Sequence, residues 1–211
     1  MATVNRVVGG ALGCRGLSAL GRSQSERLRD RLVAGFEPAI DRLYSSSLVR
    51  AVETAEILNQ ALDLSIGVED DLVEQRPGDA DGLGWHEIEG RFGPYQGDRY
   101  PHRRLAPGAE TGAEFQQRVG AALHRLVEAN LGASMLIACH GGVIDMALRG
   151  ALGLGHRVGY DLWTLNTSIT ELSATHPAGE HPDRWQLVRY NDAAHLAGLP
   201  ASTPPAASPP A

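Results

Sequence analysis

Lysine is absent from this chain of 211 residues, and all 19 of its basic residues are arginine. A P-loop lysine, a Schiff-base lysine and a Ser-Lys dyad are therefore excluded within it. Any phosphate it holds must be met by Arg, His, hydroxyls or backbone N–H groups. There are only two cysteines, Cys14 and Cys139. Two cannot build a disulfide framework, and they exclude a CxxC pair and a zinc cluster. A reducing cytoplasm is the expected location. No apolar run is long enough to span a bilayer, and no basic segment leads into an apolar stretch as in a signal peptide. The formal net charge of −6 argues against a nucleic-acid or anionic-membrane partner.

What is present fits one globular domain with a sizeable core, 43% hydrophobic and 21% charged. Periodicity predicts helices over Leu20–Leu32, Leu48–Leu62, Ala113–Asn130 and Val143–Leu152. Short strands are predicted at Asp41–Ser45, Ser65–Val68 and Met135–Cys139, the last of them buried. A closing pair is predicted at Thr167–Ala174 and Trp185–Tyr190. Glu74–Gly108, rich in Gly, Pro, Asp and His, reads as a partly helical surface excursion. Residues 1–198 form the expected domain, and 199–211, nearly all Pro, Ala and Ser, a disordered tail. Strands alternating with helices predict an α/β fold: a three-layer sandwich with a mostly parallel sheet and helices on both faces.

Two strand-to-helix junctions carry the chemistry, because ligands of parallel α/β sheets bind where strands end. At the first, Tyr44-Ser45-Ser46-Ser47 precedes Arg50 in the first helical turn. Arg offers a bidentate fork to phosphate. At the second, His140 closes a strand and Gly141-Gly142 opens a helix, whose free N–H groups favour an anion. Between the junctions, Glu74 is a carboxylate that could protonate a leaving oxygen. Taken singly, each has an ordinary structural reading: a solvated helical Arg, a strand-end His bonded to backbone, a loop carboxylate. Cys139 and the three tryptophans, Trp85, Trp163 and Trp185, read as packing residues. His102-Arg103-Arg104 reads as a solvated basic turn and His195 as a capping or surface residue.

In order and spacing these segments resemble the histidine phosphatase superfamily, the phosphoglycerate mutase-like proteins. The resemblance runs from about Asn5 to Leu196. It rests on Ser45, Ser46, Leu48, Arg50, Ala51, Thr54 and Ala55. It rests also on Leu72, Glu74, Gly78, Asp79 and Gly82, and on His140 and Gly141. Supporting matches are Leu17-Ser18 with Gly21 and Gln24, Gly108 with Glu110-Thr111, Asn166-Thr167-Ser168-Ile169, and Asn191-Asp192 with His195-Leu196. The resemblance implies a phosphomonoesterase acting on a small phosphorylated metabolite through a phosphohistidine, without metal or cofactor. Arg50, His140, Gly141 and Asn5 would bind the phosphoryl group, and Glu74 would act as general acid and then base. A homodimer is compatible with the family, and nothing in the sequence demands one.

The family's nucleophile sits in an Arg-His-Gly motif closing a central first strand. This chain contains no such motif, and its first histidine is His86. The chain is therefore expected to lack that strand. Two explanations compete: a natural protein longer than this chain, or a degenerate relative. Omitting about five buried apolar residues would forfeit roughly 10 kcal/mol, at roughly 2 kcal/mol each, comparable to a whole domain's stability of about 5–15 kcal/mol. That favours the longer protein. The chain as written is expected to be inactive and poorly folded. The alternative from another class is a non-catalytic, phosphate-binding pseudophosphatase. A phosphoglycerate mutase fits less well, because the segment after Glu74 is short.

Overall fold

The computed structural model describes residues 7–95, 100–155, 162–175 and 184–200. Helix α1 spans Ala19–Val33, its first turn closed by the Ser18 hydroxyl accepting from the Gly21 N–H at 3.0 Å. Strand β1 (Arg42–Ser46) leads into α2 (Val49–Leu62), which ends at Asp63 in the left-handed region. The Asn59 side chain brackets Leu64 with two hydrogen bonds at that end. Strand β2 is Ile66–Glu69. After two short 3-10 turns comes α3, Trp85–Phe92. Helix α4 (Gly112–Ala129) opens on a capping box between Thr111 and Glu114. Strand β3 (Met135–Ala138) feeds α5 (Gly141–Leu152), and β4 (Ile169–Thr175) pairs with β5 (Arg184–Asp192).

The order β2-β1-β3 is parallel throughout, with Ser45 beside both Val68 and Ala138. Alternate side chains leave opposite faces of a strand. Tyr44, Met135 and Ile137 pack against Leu72, Phe115, Val119, Leu126 and Val143, beneath α4 and α5. Leu43 and Leu136 point the other way, to the face where α2 lies on the strands and α1 lies on α2. The result is the expected three-layer α/β sandwich. The antiparallel pair β4-β5 forms a separate sheet. Glu37, only 5% exposed, ties that pair to α1 through ion pairs with Arg31 and Arg189, and Arg31 also holds Asp192.

Two expectations change. Strand β3 is not fully buried: among the described residues it pairs on one side only, with β1, and Met135, Leu136 and Ile137 stay partly exposed. The excursion is more than surface chain. Ala80, Ile88 and Ala106 bury a small core with Val8, Leu83, Phe92 and Leu105 packed on it. Among the described residues no helix is long and apolar enough to cross a membrane. Most of the 199–211 tail, residues 201–211, lies outside the described residues, as do 1–6.

Candidate active site

The parallel register delivers both junctions to one end of the sheet. Because Ser45 stands beside Ala138, Ser46 and His140 leave their strands together. Ser46, fully buried, places Oγ 2.8 Å from His140 Nε2, and the same Oγ accepts the Leu48 N–H at 3.3 Å. His140 is 7% exposed and extended, and it is the N-cap residue of α5. Its side chain does not cap the helix, so the ring is turned to Ser46 instead. Burial, reinforced by the charges of Arg50 and Arg118, pushes His140 down to about 3. It is therefore neutral near pH 7.

Glu74 joins these groups from the excursion. One carboxylate oxygen accepts the Gly142 N–H at 3.1 Å, and the other accepts the Gln75 N–H at 2.9 Å. A carboxylate on the first turn of α5 sits where unpaired N–H groups and the helix dipole favour negative charge. Gly142 is required by this close approach. A Cβ built there would stand 2.2 Å from Glu74 Oε1, whereas one at Gly141 would meet only Thr164 Oγ1 at 3.3 Å. Arg50, in the first turn of α2, donates to the Gly9 carbonyl at 2.9 Å. Its charge reaches both His140 and Cys14. Asn5 lies outside the described residues.

Several working parts are not apparent from the sequence. Ser46 belongs to the Ser-Ser motif, but only the fold shows that it is the partner of His140. Arg118, on the core-facing helix α4, forms a bidentate pair with Glu110 at 2.7 Å for both bonds. It also donates to the carbonyls of Asp71, Val73 and Glu74, at 2.7, 3.0 and 3.4 Å. The segment carrying Glu74 is thus fixed through its backbone. Asp81 accepts the N–H groups of Gly10, Leu12 and Gly13 at 2.9, 2.7 and 2.9 Å, anchoring the loop that reaches Arg50. On that loop Cys14 lies beside Arg50. Burial opposes ionisation of its thiol, but hydrogen bonds from Gly16 and Arg50 outweigh it and lower the pKa. Burial pushes the Cys139 thiol up to about 12, in keeping with an inert packing residue.

The remaining candidates lie elsewhere. Trp85 was expected to pack but is 52% exposed. Arg104 pairs with Glu114, and Arg103 lies over the Tyr100 ring. His195 sits against Arg31 at 3.5 Å. Among the described residues no group of three His, Cys, Asp or Glu side chains is placed to share a metal ion.

The arrangement presents a neutral imidazole with a hydroxyl and a guanidinium beside it, and a carboxylate on the helix start for which His140 is the N-cap residue, which suits an anion undergoing proton-assisted chemistry. Known proteins resemble the chain in sequence and in fold. A family model described as the histidine phosphatase superfamily (branch 1) matches residues 2–193. Phosphoglycerate mutase-like protein 4 of Arabidopsis thaliana is 29% identical over 185 residues, 85% of this chain and 76% of its own. PhoE of Bacillus subtilis, described as an uncharacterized phosphatase, is 29% identical over 159 residues, 75% of this chain and 74% of its own. The solved structure of Bacillus stearothermophilus YhfR superposes with a TM-score of 0.77 at 25% identity, over 92% of this chain and 93% of that one. A mycobacterial glucosyl-3-phosphoglycerate phosphatase superposes with a TM-score of 0.75 at 24% identity, over 90% and 92%. By sequence and by fold, the chain belongs to the histidine phosphatase superfamily.

Proposed function

We propose that this domain binds the phosphoryl group of a small phosphomonoester at the carboxyl ends of β1 and β3, and that hydrolysis there passes through a phosphohistidine. The observation that carries the reading is the convergence of Ser46, His140 and the Glu74 carboxylate on the first turn of α5. Arg50 and the N–H groups of that turn not taken by Glu74 would bind the phosphoryl oxygens, and neutral His140 would donate a hydrogen bond to them. In the first half-reaction the P–O ester bond breaks as an N–P bond forms on a nucleophilic histidine. The departing oxygen takes its proton from Glu74. In the second, water attacks phosphorus, the N–P bond breaks, and Glu74 recovers a proton from the water.

That nucleophile has no evident source among the described residues. His86 is exposed on α3, His102 is exposed in a later turn, His124 pairs with Glu128, and His195 lies against Arg31. In this reading an Arg-His-Gly strand adds along the edge of β3 that is unpaired among the described residues. Central parallel strands are normally covered on both faces and both edges, and the partial exposure of Met135, Leu136 and Ile137 fits an edge awaiting a neighbour. The pseudophosphatase alternative retains the same anion site without turnover. Two reduced cysteines fit a cytoplasmic setting.

Phosphate binding is expected to stabilise the 211-residue chain. At a hundredfold excess over Kd the gain is about 2.7 kcal/mol, which raises Tm by roughly 5–11 °C for a domain of this size. Arg50→Ala should abolish the shift. Turnover of aryl phosphates by the same chain should be about 10⁶-fold below that of a form extended by the Arg-His-Gly strand, the cost of a lost nucleophile. Absence of any phosphate-induced shift would refute the anion site. Robust turnover by the unextended chain would refute the assigned nucleophile. An extended form that binds phosphate and never turns over would establish the pseudophosphatase.

A further inference from the structure

Beside the anion site the excursion encloses a pocket of about 240 Å³ that Glu74 helps to line. Resting on the phosphatase reading above, a group attached to the departing oxygen would enter this pocket, since Glu74 is the acid that protonates that oxygen. Its apolar wall comprises Val8, Pro77, Trp85, Tyr95 and Leu105. From it we infer the substrate class: the site takes a phosphomonoester of an uncharged aromatic alcohol.

Three observations carry the inference. First, Trp85 and Tyr95 are 52% and 37% exposed, although the excursion has a core of its own that could have absorbed them. Their rings stand 6.3 Å apart and tilted by 54°, and Trp85, the more exposed of the two, offers a third ring an aromatic surface on the pocket rim. Second, the charges lining the pocket do not favour an anionic leaving group. Among the described residues its carboxylates are Glu74 and Glu110, and Glu110 is bound to Arg118. Arg76, the cation among the described lining residues, lies 3.6 Å from Asp71. An incoming carboxylate would meet Glu74 and would compete with Asp71 for that cation. Third, the size fits one ring. A dry cavity of about 150 Å³ holds a benzene molecule, so this pocket accommodates a single six-membered ring with a short link to the phosphoryl group.

The test uses the 211-residue chain and binding alone, so it does not depend on the nucleophile. Inorganic phosphate, phenylphosphonate and phosphonoacetate are titrated by calorimetry, with circular dichroism confirming the fold. Phenylphosphonate should bind about tenfold more tightly than phosphate, the return from half-burying one phenyl ring. Phosphonoacetate, which carries a carboxylate where the ring would be, should gain nothing. In Trp85→Ala, and separately in Tyr95→Ala, the ratio of phenylphosphonate to phosphate affinity should fall toward one. Both positions are exposed, so the variants should remain folded. If phosphate binds and phenylphosphonate binds no better, or if phosphonoacetate binds best, the aromatic pocket is refuted while the anion site stands. If none of the three binds, the anion site itself falls, and the pocket assignment with it.

Discussion

Arg118→Met is the perturbation most directly calculable from this structure. The guanidinium is 8% exposed and its partner Glu110 is 9% exposed. Both of its bonds to the carboxylate are 2.7 Å, and it rides over the Phe115 ring with Cζ 5.0 Å from the centroid. Removing one member of such a pair leaves a buried charge uncompensated, at a cost of about 3–5 kcal/mol. The Asp71, Val73 and Glu74 carbonyls lose their donor as well. In urea unfolding with a slope of about 2 kcal/mol/M, the midpoint should fall by roughly 1.5–2.5 M. Glu110→Gln combined with Arg118→Met removes the stranded charge and keeps an acceptor for the Arg76 N–H, which Glu110 meets at 3.2 Å. The double variant should recover at least half of the loss, a coupling that a double-mutant cycle isolates. His140 gives a second readout. Burial and Arg50 still depress its pKa, but Arg118 no longer does, so its NMR titration should move upward in the single variant. A single variant within about 1 kcal/mol of wild type would refute the claim that this pair fixes the Glu74 segment, because an unpaired buried carboxylate cannot cost so little.

Gly142→Ala should destabilise by about 1–3 kcal/mol through overpacking against Glu74 and Phe115, while Gly141→Ala should cost far less; equal melting shifts would show that Glu74 does not press on the helix start. Stability should also follow His140. Its folded-state pKa near 3 lies below the ordinary 6.5, so the unfolded chain binds a proton that the folded chain refuses between those limits. The associated stability is fully present above pH 6.5 and is lost as pH falls toward 3. It amounts to about 5 kcal/mol, at about 1.4 kcal/mol per pH unit. His140→Asn should flatten the stability profile over that window, and an unchanged slope would show that His140 titrates normally.

Local pattern was enough to make the elements legible. The stripe Phe115, Val119, Leu123 and Leu126 marked α4, and the observed helix, Gly112–Ala129, covers it. The same holds for α1 and α2, whose apolar positions recur at helical spacing. Arg50, Glu74 and His140 were readable because each stands at a junction where residue type and position limit the chemistry. The sequence could not reveal which distant groups meet. Ser46 and His140 are 94 residues apart and touch only because parallel register sets Ser45 beside Ala138. Glu74 and Gly142 are 68 apart, and the backbone that carries Glu74 is held by Arg118, a residue whose helical position alone suggests a solvated face. β3 reads as a buried strand by its apolar run, but burial depends on what pairs beside it, which no local pattern encodes. Trp85 reads as core by type and becomes a pocket wall because the excursion fills its own interior with Ala80, Ile88 and Ala106. Periodicity and residue type act over a few residues and determined the elements and the candidate chemistry. Register, burial and charge pairing act across the whole chain, so only the tertiary structure decided which of those groups form one site.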